Sequence, residues 1–334
     1  MKKKKKALIV CGCILAVTLA FAACSEPSAD ISELSSEDVY LAGSESEEMI
    51  FEEAAILADT PVANASAVLE PVASGVNVLG NDKCEIDASN VAEGYVMVRY
   101  TGGGSKKIKL LMTNPSGVQY QYNLKLDGDW GVFPLSGGNG VYKLGVYQNT
   151  SGNKYSTLFT TSVTAQITNA MSPFLYPNQY VNFTANSAAV AKAKEICSGK
   201  TAELDKVSAI YNFVINNLSY DKQKAQSVQS GYLPDIDAVL AAKKGICFDY
   251  AALMAAMLRS QNVPTKLVVG YTGAAYHAWI NVHISGQGWV NGVIYFDGST
   301  WKLMDPTFAS SANSSDAIMQ YIGNGSNYQA KYQY

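Results

Sequence analysis

The spacing of apolar residues changes from strand-like to helical near residue 168 of this chain, and that change limits the folds open to it. From about Gly75 to Ile167 the chain runs in short alternating stretches: "GYVMVRY", "KKIKLLMT", "VQYQYNLKL", "WGVFPL", "GVYKLGVYQN" and "STLFTTSVTAQI". Gly, Asn and Asp separate them. Successive side chains of a strand point to opposite faces, so a period of two with turn residues at this interval predicts an antiparallel β-sandwich. After "MSPFLYPNQYVNFTAN" the spacing becomes helical through "SAAVAKAKEICSG" and "TAELDKVSAIYNFVINNLSYD", with Ser187 and Thr201 as expected N-caps. Beyond "GYLPDIDAVLAAKKG" a further helix is expected, and then "PTKLVVGYT", "AYHAWINVHI", "GWVNGVIYFDG" and "TWKLMDPTF" read as strands. Helices followed by antiparallel strands predict an α+β unit.

An immunoglobulin-like module of about a hundred residues fits the alternating half. Its "TGGGSKK" lacks the G-x-x-x-x-G-K-[ST] spacing of a phosphate loop and is expected to be a hairpin loop. No catalytic constellation occurs in this half. Substrate presentation, docking or spacing is what it can offer.

The first residues stand apart. Met1 to Lys6 is nearly all lysine, and "ALIVCGCILAVTLAFAAC" follows, a charged and then an apolar region of the kind that directs secretion. "FAAC" then resembles a bacterial lipobox, with Phe21 where leucine is usual. The resemblance implies that Cys24 becomes the lipidated first residue of the mature chain, at the outer face of a membrane. An uncleaved signal anchor is the alternative, and both put the rest of the chain outside. Ser25 to about Val72 is acidic and poor in aromatics, which reads as a tether, with a short helix open at Glu48–Leu57. The expected parts are a signal peptide at 1–23, a lipid-anchored tether at 24–74, the sandwich at 75–168 and a catalytic domain at 169–334.

Of six cysteines, Cys11 and Cys13 leave with the signal and Cys24 carries lipid, so Cys84, Cys197 and Cys247 remain. That is too few for a disulfide scaffold, with room for one bridge between Cys84 and Cys197. Losing five lysines takes the basic count from 25 to 20 against 28 acidic residues, a net charge near −8. Such a surface argues against nucleic acid as a partner.

The chemistry concentrates around "KKGICFDYAALMAAMLRSQ", Lys243 to Gln261. Its Ala, Leu and Met have high helix propensity, and Leu253, Met254, Met257 and Leu258 fall at helical spacing. Cys247 is therefore at or near the N-terminus of a buried helix, where unpaired N–H groups and the positive dipole end favour thiolate. By itself the motif fits a nucleophile and a small core residue alike. The chain has two histidines. Alternation in "AYHAWINVHI" puts His277, Trp279, Asn281 and His283 on one strand face. In "TWKLMDPTF", Trp301, Leu303 and Asp305 share a face, and Pro306 ends the strand. Two adjacent antiparallel strands would hold His277 beside Asp305. His283, about 20 Å further along a strand at roughly 3.3 Å per residue, cannot serve the same thiol and reads as a rim residue.

"GICFDYAALMAAMLRSQNVPTKLVVGY", "YHAWINV" and "LMDPTF" in this order closely resemble the transglutaminase-like superfamily, over roughly Ser172 to Ala309. The resemblance implies a papain-like α+β transglutaminase core behind the immunoglobulin-like sandwich, and a Cys247–His277–Asp305 triad. Cys247 would attack an amide carbonyl, His277 would protonate the leaving amine, and Asp305 would orient His277. The Cys247 N–H is one candidate donor to the oxyanion, and Tyr220 in "NLSYD" is a candidate for the second, though equally a core tyrosine. Trp279 would wall the acyl channel, or simply fill the core. Asp249 is expected to cap the helix or meet a lysine, and Asp297 to sit in a hairpin turn. Cys197 is expected to be a packing residue.

The triad yields a thioester. Water would make the protein a peptidase or amidase acting on peptide or isopeptide bonds at the cell surface, the reading preferred here. A lysine amine would make it a cross-linking transamidase, and a domain that only grips peptide is a third possibility. No D-x-[DN]-x-[DN]-G calcium loop occurs, and the expected partners are a peptide or protein substrate and the membrane, with no cofactor and no metal.

Overall fold

The alternating half forms eight strands: β1 (Val78–Gly80), β2 (Cys84–Asp87), β3 (Tyr95–Tyr100), β4 (Ile108–Thr113), β5 (Gln119–Leu124), β6 (Gly131–Pro134), β7 (Gly140–Ser151) and β8 (Lys154–Ala165). The structure is a computed structural model that describes residues 68–272, 275–290, 294–296, 301–303 and 328–334. The expected signal segment, Cys24, residues 48–57, Asp297 and Asp305 lie outside the described residues. No helix among the described residues is long and apolar enough to cross a membrane.

The strands form two four-stranded sheets, ordered β1-β2-β3-β6 and β5-β4-β7-β8, with every pair antiparallel. Alternation sets the buried face: in β5, Tyr120, Tyr122 and Leu124 are buried while Gln119 and Asn123 are exposed. Buried residues of both sheets join one apolar cluster that continues into the helical half. One expectation is corrected. β3 pairs with β2 and β6, whereas β4 pairs with β5 and β7, so "TGGGSKK" crosses between sheets and is not a hairpin loop. Alternation marks a strand without naming its partner, and Gly103 and Gly104, both at positive φ, let the chain turn there.

The helical half begins with α1 (Ala188–Ile196) and α2 (Glu203–Asn217), continues through the two-residue strand β9 (Ser219–Tyr220), α3 (Lys222–Ser227), α4 (Ile236–Ala242) and β10 (Lys244–Gly245), and reaches α5 (Cys247–Ser260). Ser187 holds the α1 N-cap position, but the Asp237 carboxylate accepts the Ala188 and Ala189 N–H groups at 3.0 and 2.9 Å. At α2 the cap falls on Ala202, one residue after Thr201. All of α5 except Phe248 is buried, and its alanines at 251, 252, 255 and 256 allow close approach from several sides. A helix covered all round is apolar all round, which is the composition of this one.

Then come β11 (Thr265–Thr272), β12 (Ala275–Ile284), β13 (Gly288–Val290), β14 (Ile294–Phe296), β15 (Trp301–Leu303) and β16 (Tyr328–Gln333). One antiparallel sheet has the order β13-β12-β11-β16, and β14 pairs with β15. On β12, Ala278, Ile280, Val282 and Ile284 join the apolar cluster that contains α5, leaving residues 277, 279, 281 and 283 on the opposite face by strand alternation. The β11–β16 register shifts between Val269 and Gly270, and a Cβ on Gly270 would collide with the Gln329 carbonyl oxygen. Glycine is what admits β16 there.

Candidate active site

Cys247 is the first residue of α5, and the backbone just before it explains the glycine two positions earlier. Gly245 pairs with Tyr220 in the parallel β9–β10 contact, and a Cβ on it would lie 2.7 Å from Asp249 Cβ. The Asp249 carboxylate accepts the Ile246 N–H at 2.9 Å, the backward reach of a capping residue. Isoleucine has no acceptor to return, so this is half of a capping box. The same carboxylate meets Lys224 Nζ at 2.6 Å and accepts from the Tyr232 hydroxyl at 2.5 Å. Asp249 is fully buried, so this pairing compensates a charge that could not stand alone in the core. It therefore both caps and pairs. Burial, and then the Asp249 carboxylate, hold the Tyr232 phenol well above its usual range, so its hydroxyl remains a donor.

Cys247 and His277 line one cleft. Both are buried, at 3% and 8% exposure. His277 stands opposite Gly270 in the β11–β12 ladder. The rest of the lining is mostly apolar and aromatic, with Tyr180, Phe248, Tyr276 and Tyr334 prominent and the exposed stretch Gln229–Gly231 at one side. A helix-start thiol and a histidine that line one cleft are the parts acyl chemistry needs: a nucleophile favoured as thiolate at a helix N-terminus and a proton carrier.

Trp279 is buried, its ring 6.4 Å from that of His277 and 5.2 Å from that of Tyr328. It touches the site through His277 and is not among the cleft-lining residues. Tyr220 is half-buried beside Gly245 and likewise is not among them. His283 is half-buried against Trp289, at the far end of β12. β12 pairs with β11 and β13, and β15 pairs with β14; Asp305, beyond β15, is outside the described residues. Asp297 follows the Phe296↔Trp301 pair and is outside them too. Among the described residues no group of three His, Cys, Asp or Glu side chains could hold a metal ion.

A buried α/β core in which a helix-start cysteine and a strand histidine share one cleft holds two of the groups that thiol-dependent acyl transfer requires. Residues 190–292 match the family model of the transglutaminase-like superfamily. It is 26% identical over 105 residues to the uncharacterized protein YebA of Bacillus subtilis, covering 26% of this chain and 14% of YebA. Solved structures similar to it include a candidate cysteine protease from Cytophaga hutchinsonii, at TM-score 0.34 and 15% identity over 70% of this chain and 69% of that one. The periplasmic domain of TgpA from Pseudomonas aeruginosa gives TM-score 0.32 and 16% identity, over 72% and 100%. Red sea bream transglutaminase gives 0.26 and 14%, over 69% and 53%.

Cys84 and Cys197 are buried free thiols, so the bridge left open between them is not formed. Burial, with help from Asp82 and Glu85, pushes Cys84 up to about 11, and burial raises Cys197 as well. At pH 7.5 both are almost wholly protonated. In the folded protein, Cys247 should therefore alkylate at least about 10²-fold faster than either, because thiolate is the attacking form. Peptide mapping after brief iodoacetamide treatment measures this, and equally slow labelling of all three would remove Cys247 as an activated thiol.

Proposed function

We propose that the protein is a surface-anchored cysteine hydrolase that cleaves peptide or isopeptide amide bonds through a Cys247–His277–Asp305 triad. The observation that carries this reading is the cleft shared by Cys247, at the start of buried α5, and His277. The Cys247 thiolate adds to the amide carbonyl carbon. As the tetrahedral intermediate collapses, the C–N bond breaks, His277 gives its proton to the departing amine, and a thioester remains. Water then adds to the thioester with His277 as base, the C–S bond breaks, and a carboxylic acid leaves. Asp305 would hold the His277 ring, the Cys247 N–H would meet the oxyanion, and Tyr220 stays the candidate for a second donor. In this reading the core is papain-like, and the two N-terminal sheets are an immunoglobulin-like sandwich ending near residue 168.

Water is favoured over an amine because exposed Gln229, Ser230 and Gly231 line the cleft, which lets solvent reach a thioester there. Transamidation needs that water kept out. A glutamine-bearing peptide offered with excess primary amine should be cleaved or deamidated in a Cys247-dependent way, with little conjugate. The products differ in mass, so one spectrum separates them. Amine conjugate as the dominant product would make the protein a cross-linker.

The lysine-rich start, the apolar run and "FAAC" support anchoring through lipid on Cys24, with the acidic segment to residue 74 as tether. In a lipoprotein-processing bacterium the wild type should partition with membranes and Cys24→Ser should lose the lipid. A mature N-terminus mapped elsewhere than residue 24 would end this part of the reading.

A further inference from the structure

The wall of the cleft opposite the family resemblance is built by residues outside 190–292. Tyr180 and Tyr334 both line it, their rings 4.5 Å apart, and Tyr180 lies 5.6 Å from Phe248, the residue after the candidate nucleophile. Strand β5 of the N-terminal sheets braces this wall from behind. Tyr122 packs against Tyr180 at 5.7 Å and against Tyr334 at 5.9 Å, and the Tyr180 hydroxyl donates to the Gln121 carbonyl at 3.4 Å. With its polar end occupied by β5, Tyr180 offers the cleft its ring. The neighbouring loop is braced by the same strand: Gly231, at φ +86°, approaches Asn123 so closely that a Cβ would lie 2.7 Å from Asn123 Nδ2.

Apart from His277, none of the described residues lining this cleft is Lys, Arg, Asp or Glu. A charged side chain entering it would lose its water and meet none of those four residue types among the described lining, whereas an aromatic one would trade water for three rings. We propose that Tyr180, Phe248 and Tyr334 form a subsite for a bulky apolar, preferentially aromatic, side chain on the acyl side of the bond cleaved. β5 positions that subsite. This rests on Cys247 being the nucleophile, and adds the class of peptide it acts on.

The test uses the full mature chain and peptidyl acyloxymethyl ketones carrying Phe, Gly, Lys or Glu at either of the two residues on the acyl side. The Cys247 thiolate displaces the carboxylate leaving group, forming C–S as C–O breaks, so labelling needs no known substrate. Phe at one of the two positions should label Cys247 at least about tenfold faster than Gly, Lys or Glu, the scale on which apolar pockets discriminate. Tyr180→Ala should reduce the Phe-to-Gly ratio to within about threefold, and Tyr180→Phe, which keeps the ring, should retain it. Rapid iodoacetamide labelling without a Phe preference at either position would overturn the subsite while leaving the nucleophile intact. A Cys247 inert to iodoacetamide would overturn both. The wild-type probe series decides the matter even if Tyr180→Ala fails to fold.

Discussion

Cys247→Ala should reduce amide cleavage by about 10⁴-fold or more, since a nucleophile's role has no substitute within a triad. The fold should survive. Cys247 is small and buried at the first position of α5, where alanine keeps the helix and removes one sulfur, so the cost in stability should be about 1 kcal/mol. His277→Ala should lose nearly as much activity, and the double variant should be no worse than either single one, because groups that act as a unit are not additive. Asp305→Asn, removing only an orienting charge, should cost about 10²- to 10⁴-fold. Additive losses in the double variant would mean that Cys247 and His277 work in separate steps. A folded Cys247→Ala protein with undiminished turnover would place the chemistry elsewhere.

The largest effect on stability should come from Arg259→Leu, although Arg259 does not itself line the cleft. Its guanidinium, at the end of α5, donates to three backbone carbonyls: Thr265 at 2.9 Å, Tyr176 at 2.7 Å and Tyr334 at 2.7 Å. One buried side chain thus ties α5 to the start of β11, to the connection leaving the N-terminal sheets and to the end of β16. Leucine would remove this donor from all three, and although the Tyr334 oxygen keeps the Leu267 N–H at 3.0 Å, each acceptor left unmet costs about 1–3 kcal/mol, offset in part by no longer burying a charge. A net loss of about 3–5 kcal/mol is expected. For a protein of this size it should lower the melting midpoint by roughly 6–20 °C. Arg259→Lys should recover only a fraction, since an ammonium cannot reach three divergent acceptors as a planar fork does. Denaturant titration provides the measurement, and an Arg259→Leu protein within about 1 kcal/mol of wild type would show that the three contacts are dispensable.

The elements that could be read from the sequence are those whose signal is local. The apolar period of α5, the cysteine before it and the alternation of β12 each lie within one short stretch, and the structure places Cys247 and His277 in the same cleft. What escaped is set by partners distant in the chain. β1 and β2, at three and four residues, are too short to show a period, and β16, "YQAKYQ", is polar enough to pass for a loop. Its identity as a strand comes from pairing with β11 across a register shift that Gly270 permits. The aromatic wall was invisible for the same reason. Tyr122, Tyr180 and Tyr334 stand far apart in sequence, and nothing in their spacing says that they meet.

The pairing of β16 with β11 also sets an order of events during folding. Tyr334 lines the cleft beside Cys247, yet 87 residues separate the two along the chain. α5 can form before β16 docks, but its N-terminal thiol then has no finished pocket around it. Such long-range closure is the slow kind of folding step. The walls of this cleft are therefore completed late, after the helix that carries the thiol.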